Sequence, residues 1–298
     1  EVNMMKPISA AILNIRGAAP GTATIGNGAT NLAKDIIRVA NIAYNISQVE
    51  QKSGFLLVTG EKGFNKSACL HMLGQQISRV FSGKHLYPGV FISKDAASEF
   101  EKTISTHYKT LLGHIDLQQY TNDVNCGAAV GIVARQQENL ILDEITLSAF
   151  KKVYITGHGA AGTNVLASGD SVFSAKQLVD ILVANKVLEV IKDIRISSCY
   201  SADKREPNSF KMEDIDKANR NAGFFERMVF GERDTFIERV ANEIWSRGYT
   251  DVKVSGYHGA GVFYAGEIPF THLRSTTIPP TITVKRKSVR VTLESPID

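Results

Sequence analysis

Two residues of this chain, His158 and Cys199, are of types that together carry acyl transfer. A thiolate is the nucleophile, whereas a free cysteine is mostly thiol at neutral pH. An imidazole within reach must therefore take the proton or stabilise the anion. The neighbours suit that chemistry. Gly157 and Gly159 flank the histidine and let backbone approach a substrate closely. Ser197, Ser198 and Ser201 surround the cysteine with small polar groups, unlike the setting of a packed core thiol. The amides of Gly159 and Cys199 are the candidate donors to a developing oxyanion. Singly, a histidine or a cysteine is more often structural; the argument rests on the two together.

Each residue closes an apolar run. Val153-Tyr154-Ile155-Thr156 leads into Gly157-His158-Gly159, and Ile194-Arg195-Ile196 leads into Ser197-Ser198-Cys199. Short β-branched runs that end in small residues read as buried parallel strands. Between them, Leu178, Val179, Ile181, Leu182 and Leu188 recur at helical spacing within Ser174 to Lys192. A strand, helix, strand unit crosses over right-handed and brings both strand C-termini to one sheet edge, where α/β folds build sites. The expected fold class is α/β: a mostly parallel central sheet of about five or six strands with helices on both faces, a three-layer arrangement.

The bulk properties fit an ordinary globular chain. It has 298 residues, 43% of them hydrophobic and 21% charged, with a net charge of +4. That mild charge gives no reason to expect a nucleic-acid partner. Three widely spaced cysteines exclude a disulfide framework and a Cys-x-x-Cys metal knuckle. His107 has no histidine one turn away and no acidic ligand set, so no metal is expected. No apolar run approaches the ~18 residues of a membrane span. Glu1 to Ile15 lacks a basic stretch followed by a continuous apolar run, so no cleavable secretory signal is expected.

In chain order, residues 1–30 read as a flexible arm, with Gly17, Gly21, Gly26 and Gly28 among small neighbours. Residues 31–298 form the folded domain. Asn31 to Val49 has helical spacing; Phe55–Thr59 and Val90–Ile92 read as strands, and Asp95–Leu112 as a helix. Cys126–Val133 and Leu140–Ile145 read as two further strands. Gly60 to Ser67 sits between a strand and a helix and ends in Lys-Ser like a phosphate loop, but Asn65 stands where the loop needs glycine. Leu140 to Glu144 imitates the second motif of a nucleotide hydrolase. After Cys199, Asp203–Asn221 is a polar insert that composition assigns to solvent. Asp234–Arg247 is a helix and Val252–Ser255 a strand. Gly256 to Gly261 repeats a Tyr-His-Gly strand end, making His258 a rival partner for Cys199. Thr281–Lys285 and Val289–Leu293 alternate like a β-hairpin, with Lys285, Arg286, Lys287 and Arg290 clustered on it.

The Gly-His-Gly and Ser-Cys strand ends resemble those of the caspase-like (clan CD) cysteine peptidases. The nearest resemblance is to the inositol-hexakisphosphate-activated cysteine protease domains of RTX and large clostridial toxins and to related bacterial effectors. It spans Phe55 to Glu294 in element order, while its specific motifs are confined to Ile155–Gly159 and Ile196–Ser201. It implies a caspase-like fold with a C-terminal β-flap, and a cysteine endopeptidase whose dyad is His158 and Cys199, with no acidic third member. It implies inositol hexakisphosphate as activator, bound by basic residues near the flap: Lys62, Lys66, Arg274, Lys285, Arg286, Lys287 and Arg290. Tyr257 and His258 are then candidates for the substrate pocket. The substrate would be a host protein or the chain's own N-terminal arm, with release or injection by a bacterium and action in the host cytoplasm. The insert Asp203–Asn221 departs from the family's pattern. Two other readings stand beside this one: an inositol-phosphate-sensing module with a vestigial dyad, and a degenerate P-loop NTPase.

Overall fold

A computed structural model of the protein describes residues 54–81, 84–109, 130–223, 228, 234–262, 272–278, 280 and 282–296. The expected arm and the helix from Asn31 lie outside the described residues. The chain enters through β1 (Phe55–Val58), α1 (Lys66–Phe81), β2 (Gly89–Phe91) and α2 (Lys94–His107). It continues through β3 (Asn139–Ile141), β4 (Val153–Thr156), the hairpin β5 (Val165–Ser168) and β6 (Ser171–Ser174), then α3 (Ala175–Ala184) and α4 (Val187–Val190). After β7 (Asp193–Ile196) come α5 (Met212–Asn219), α6 (Phe236–Ser246) and β8 (Lys253–Tyr257). The last strands are β9 (Ala260–Val262), β10 (Leu273–Ser275), β11 (Thr283–Lys285) and β12 (Arg290–Leu293).

Seven strands form the central sheet in the order β12-β8-β7-β4-β1-β2-β3, all parallel except β12. The period of two divides its side chains between two cores. Phe55, Leu57, Val153, Ile155, Ile194 and Ile196 face α3, α4 and α6; Leu56, Val58 and Tyr154 face α1 and α2. Helices therefore lie on both faces, and β1 is apolar on both sides as a buried parallel strand requires, whereas β7 carries Asp193 and Arg195 on the side away from α3 and α6.

Three expectations change. Residues 130–136 are helical, and Val130, Ile132, Val133 and Ala134 are buried against α1 and α2. A β-branched run of that length fits a buried helical turn as well as a strand. Asp143 and Glu144 lie in a 3-10 turn after β3. The C-terminal hairpin is absent, because its two strands part. β11 joins β10 and β9 in a separate three-stranded sheet, whereas β12 runs antiparallel to β8 at the edge of the central one. Alternation shows that a strand is half-buried without showing which neighbour it pairs with.

Helix α6 packs Phe236, Ile237, Val240, Ala241 and Ile244 into the core and starts in a capping box. Thr235 Oγ1 accepts from Glu238 N–H at 3.2 Å while the Glu238 carboxylate accepts from Thr235 N–H at 2.7 Å. Thr235→Ala should cost about 1 kcal/mol of stability, read as a lower urea midpoint at unchanged slope.

Candidate active site

The strands that carry His158 and Cys199 are neighbours. β4 and β7 pair in parallel, with Tyr154 opposite Arg195 and Ile155 opposite Ile196, so both loops leave from the same edge. Ser197 ties them further: its N–H and its hydroxyl each donate to Ile155 O at 3.0 Å. Beyond β4, His158 pairs with Ala167 of the β5–β6 hairpin, N–H to O at 2.7 Å and O from N–H at 2.9 Å. Gly157 must be glycine there, since a Cβ would lie 2.7 Å from Ala167 O. A Cβ on Gly159 would lie 2.9 Å from Cys199 O and 3.0 Å from Ser198 Oγ. The histidine and cysteine loops are thus in direct contact.

The cysteine turn is strained and tightly held. Tyr200, next to the thiol, adopts the left-handed region at φ 53°, which costs about 1–3 kcal/mol for a residue of this kind. Its N–H donates to Gly259 O at 2.8 Å and its hydroxyl to Thr276 O at 3.0 Å. Cys199 is partly exposed, and its Sγ accepts the Gly261 N–H at 3.4 Å. Among the described residues, neither the Gly159 nor the Cys199 amide donates to another protein group.

Beneath this turn lies Arg274, 1% exposed. Its Nη1 donates to Ser198 O and Gly259 O, its Nη2 to Ser197 O, all within 3.0–3.1 Å. The guanidinium also stacks over Tyr257 at 4.7 Å. Burial draws its pKa down to about 10, partly opposed by Cys199, so it remains charged at neutral pH. Arg274 is therefore an internal clamp, turned away from any ligand. His258 is also engaged: Nδ1 lies 2.6 Å from Asp203 Oδ1, and Asp203 Oδ2 accepts from Gly259 N–H at 2.7 Å. Asp203 and Lys204 are buried, and Lys204 N–H donates to Asn219 Oδ1. The insert thus starts inside the protein, at Asp203 and Lys204, and then runs through α5, a short surface helix such as its composition suggests.

His158 is exposed, and the ring of His71 lies against it, centroids 4.6 Å apart and planes at 44°. Desolvation, then the positive charges of His158 and Arg274, lowers the His71 pKa to about 3. Nothing in the sequence marks His71 out; its place follows from α1 crossing the end of β4.

A second site lies between the sheet, α1 and the three-stranded sheet. It is a cavity of about 380 Å³ lined by Arg79, Lys84, Arg195, Arg286, Lys287 and Arg290 together with Tyr87, Tyr154, Tyr257 and His272. Among the described residues no carboxylate lines it, and the lining Arg195 is bonded to Asp193. Arg79 lies 3.6 Å over the Tyr87 ring, Arg195 bonds Tyr154 Oη at 2.8 Å, and Arg286 lies over both Tyr154 and Tyr257. Of the basic residues expected to gather, Arg286, Lys287 and Arg290 line this cavity. Lys62, Lys66 and Lys285 are exposed elsewhere, and Tyr257 faces this cavity while lying 2% exposed. Arg79, Lys84 and Arg195 were not expected; the signal for Arg195 was a charge inside an otherwise apolar strand.

The loop that imitates a phosphate cradle has its amides occupied. Gly63 and Phe64 N–H both donate to Glu99 Oε1, and Gly60 N–H to Ser168 Oγ. A carboxylate sits where a phosphate would need to bind. No family model matches the chain, and no curated protein does.

Two outcomes follow from this geometry. Arg274→Gln removes three buried hydrogen bonds, leaving the carbonyls of Ser197 and Ser198 without their donor, and should destabilise by at least about 3 kcal/mol; Arg274→Lys should recover only part, as an ammonium lacks the fork. Urea unfolding measures both. His71 gives the second. Between pH 6.5 and about 3 the unfolded chain holds a proton there that the native state does not. The stability is fully present above pH 6.5 and is lost as pH falls, at up to about 1.4 kcal/mol per unit. His71→Phe should flatten the acid limb by that slope, and an unchanged limb would count against the assignment.

Proposed function

We propose that this chain is a caspase-like cysteine endopeptidase with Cys199 as nucleophile and His158 as general acid and base. The observation that carries this reading is the contact of the two loops at one edge of adjacent parallel strands. In acylation the Cys199 thiolate attacks the scissile carbonyl. The carbonyl oxygen becomes an oxyanion facing the Gly159 and Cys199 amides. The C–N bond then breaks, and the leaving amine takes the proton held on His158. In deacylation His158 takes a proton from water, the resulting hydroxide adds to the thioester, and the C–S bond breaks to release the acid and the thiolate. The substrate is a protein segment, from a host protein or from the chain's own N-terminal arm, and the setting is that of a bacterial effector acting in the host cytoplasm.

We further propose that an inositol polyphosphate, with inositol hexakisphosphate as the probe, occupies the basic cavity and activates the enzyme. Six cationic side chains, with no lining carboxylate among the described residues, suit a ligand with several phosphates on one ring. The three-stranded sheet makes the connection: His272 and Arg286 line the cavity, while Gly261 of β9 donates to the Cys199 sulfur. An occupant that orders this sheet also orders the cysteine turn. A binding module with a vestigial dyad shares the same cavity. A thiol-reactive peptide probe separates the two, since only the peptidase needs an ionisable, accessible Cys199.

Cys199→Ala and His158→Ala should each abolish cleavage of a peptide library, by about 10³-fold or more, with the melting temperature kept. Cleavage retained by Cys199→Ala would falsify the assignment. Inositol hexakisphosphate at 100 times Kd should add about 2.7 kcal/mol of stability. The Arg286→Gln, Lys287→Gln double variant should lose most of that gain, and Lys62→Gln, Lys66→Gln should lose none.

A further inference from the structure

A general base works only if its ring is presented in one orientation, which in most such sites falls to a third group. Here the backbone of His158 is fixed at both its N–H and its carbonyl by Ala167. The imidazole itself projects into an exposed position, where backbone bonds do not restrain it. The group that meets it is the His71 ring at 4.6 Å. His71 is well placed to be immobile. It rides on α1, whose Cys69, Met72, Leu73 and Ile77 are buried in the core. His71 and Met72 border a small pocket of about 20 Å³ together with Gly157 and His158, so α1 lies close against the histidine loop.

We propose that His71 is a positioning residue that holds the His158 imidazole in its working orientation through ring contact. This rests on the peptidase reading for its consequence in catalysis, though the contact can be tested without turnover. A neutral aromatic ring suits the task. During acylation His158 alternates between imidazole and imidazolium; a flat, uncharged neighbour tolerates both, and a π-face attracts the cation. A charged neighbour would repel it. Because desolvation keeps His71 uncharged down to about pH 3, that repulsion does not arise at working pH.

The test compares wild type, His71→Ala and His71→Phe in the full chain, with His158→Gln used to assign the His158 imidazole signals by nitrogen-15 NMR. The proposal expects the wild-type His158 ring signals to be displaced by the neighbouring ring and weighted to one tautomer. In His71→Ala they should move to the values of a free surface histidine, and in His71→Phe the restraint should return. In the kinetic arm, His71→Ala should lower kcat about 10-fold, equal to about 1.4 kcal/mol, with KM within about two-fold; His71→Phe should restore most of it. Unchanged His158 signals in His71→Ala overturn the proposal, whatever happens to the rate. So does a full kcat in that variant. If wild type cleaves no peptide, the peptidase reading fails by itself, and the NMR arm still decides the ring contact.

Discussion

The arrangement depends on one buried cation. A guanidinium taken out of water loses several kcal/mol of hydration unless its hydrogens are matched. Arg274 meets most of that demand through Nη1 and Nη2, which bond the carbonyls of Ser197, Ser198 and Gly259, while its Nε has no partner among the described residues. Those carbonyls belong to two loops that leave separate strands, β7 and β8, so one planar group fixes the distance between them. The constraint runs both ways. Without the loops the charge could not be buried; without the charge the carbonyls of Ser197 and Ser198 would lose their donors, and Gly259 O would keep only the Tyr200 N–H. The strained Tyr200 conformation persists because this surrounding framework over-determines it.

The clamp also lies on the short path between the cysteine turn and the basic cavity. His272, immediately before β10, faces the basic cavity, and two residues on, within β10, Arg274 grips the cysteine turn. Its neighbour β9 offers the Gly261 amide to the sulfur. Short strands in a small antiparallel sheet bury little apolar surface, so their order depends on what they are pinned to. Here they are pinned on one side to the cysteine turn and on the other to a cluster of like charges. That second side is unfavourable in the absence of an anion, since Arg79, Arg195 and Arg286 repel one another across the tyrosines that separate them.

What the sequence revealed, and what it hid, follows physical lines. The strands ending at Gly157 and Ser197 were legible because a β-branched run closed by small residues has few other uses, and the helix between them carried its apolar stripe at the right spacing. Partnership was not legible. β12 alternates as cleanly as any hairpin arm, yet pairs with β8, and only the three-dimensional register tells the two apart. Residue type misled at Arg274, where a basic side chain in a basic neighbourhood turned out to face carbonyls. The converse holds for Arg195, whose place between Ile194 and Ile196 was the visible sign that one side of β7 borders a cavity. Arg79 and His71 left no sign, because their meaning comes from where α1 lies over the sheet.

That helix joins both ends of the molecule's chemistry. His71 and Arg79 are eight residues apart, a little over two turns, so about 12 Å of rigid rod separates the ring beside His158 from the cation over Tyr87. The positions 71, 75, 78 and 79 share one side of the rod, and Gln75, Ser78 and Arg79 all border the cavity. A rod cannot shift at one end alone. Whatever tilts or slides α1 by a fraction of an ångström at the cavity alters the imidazole contact at the far end, so the two histidines act as a gauge of how that helix is seated.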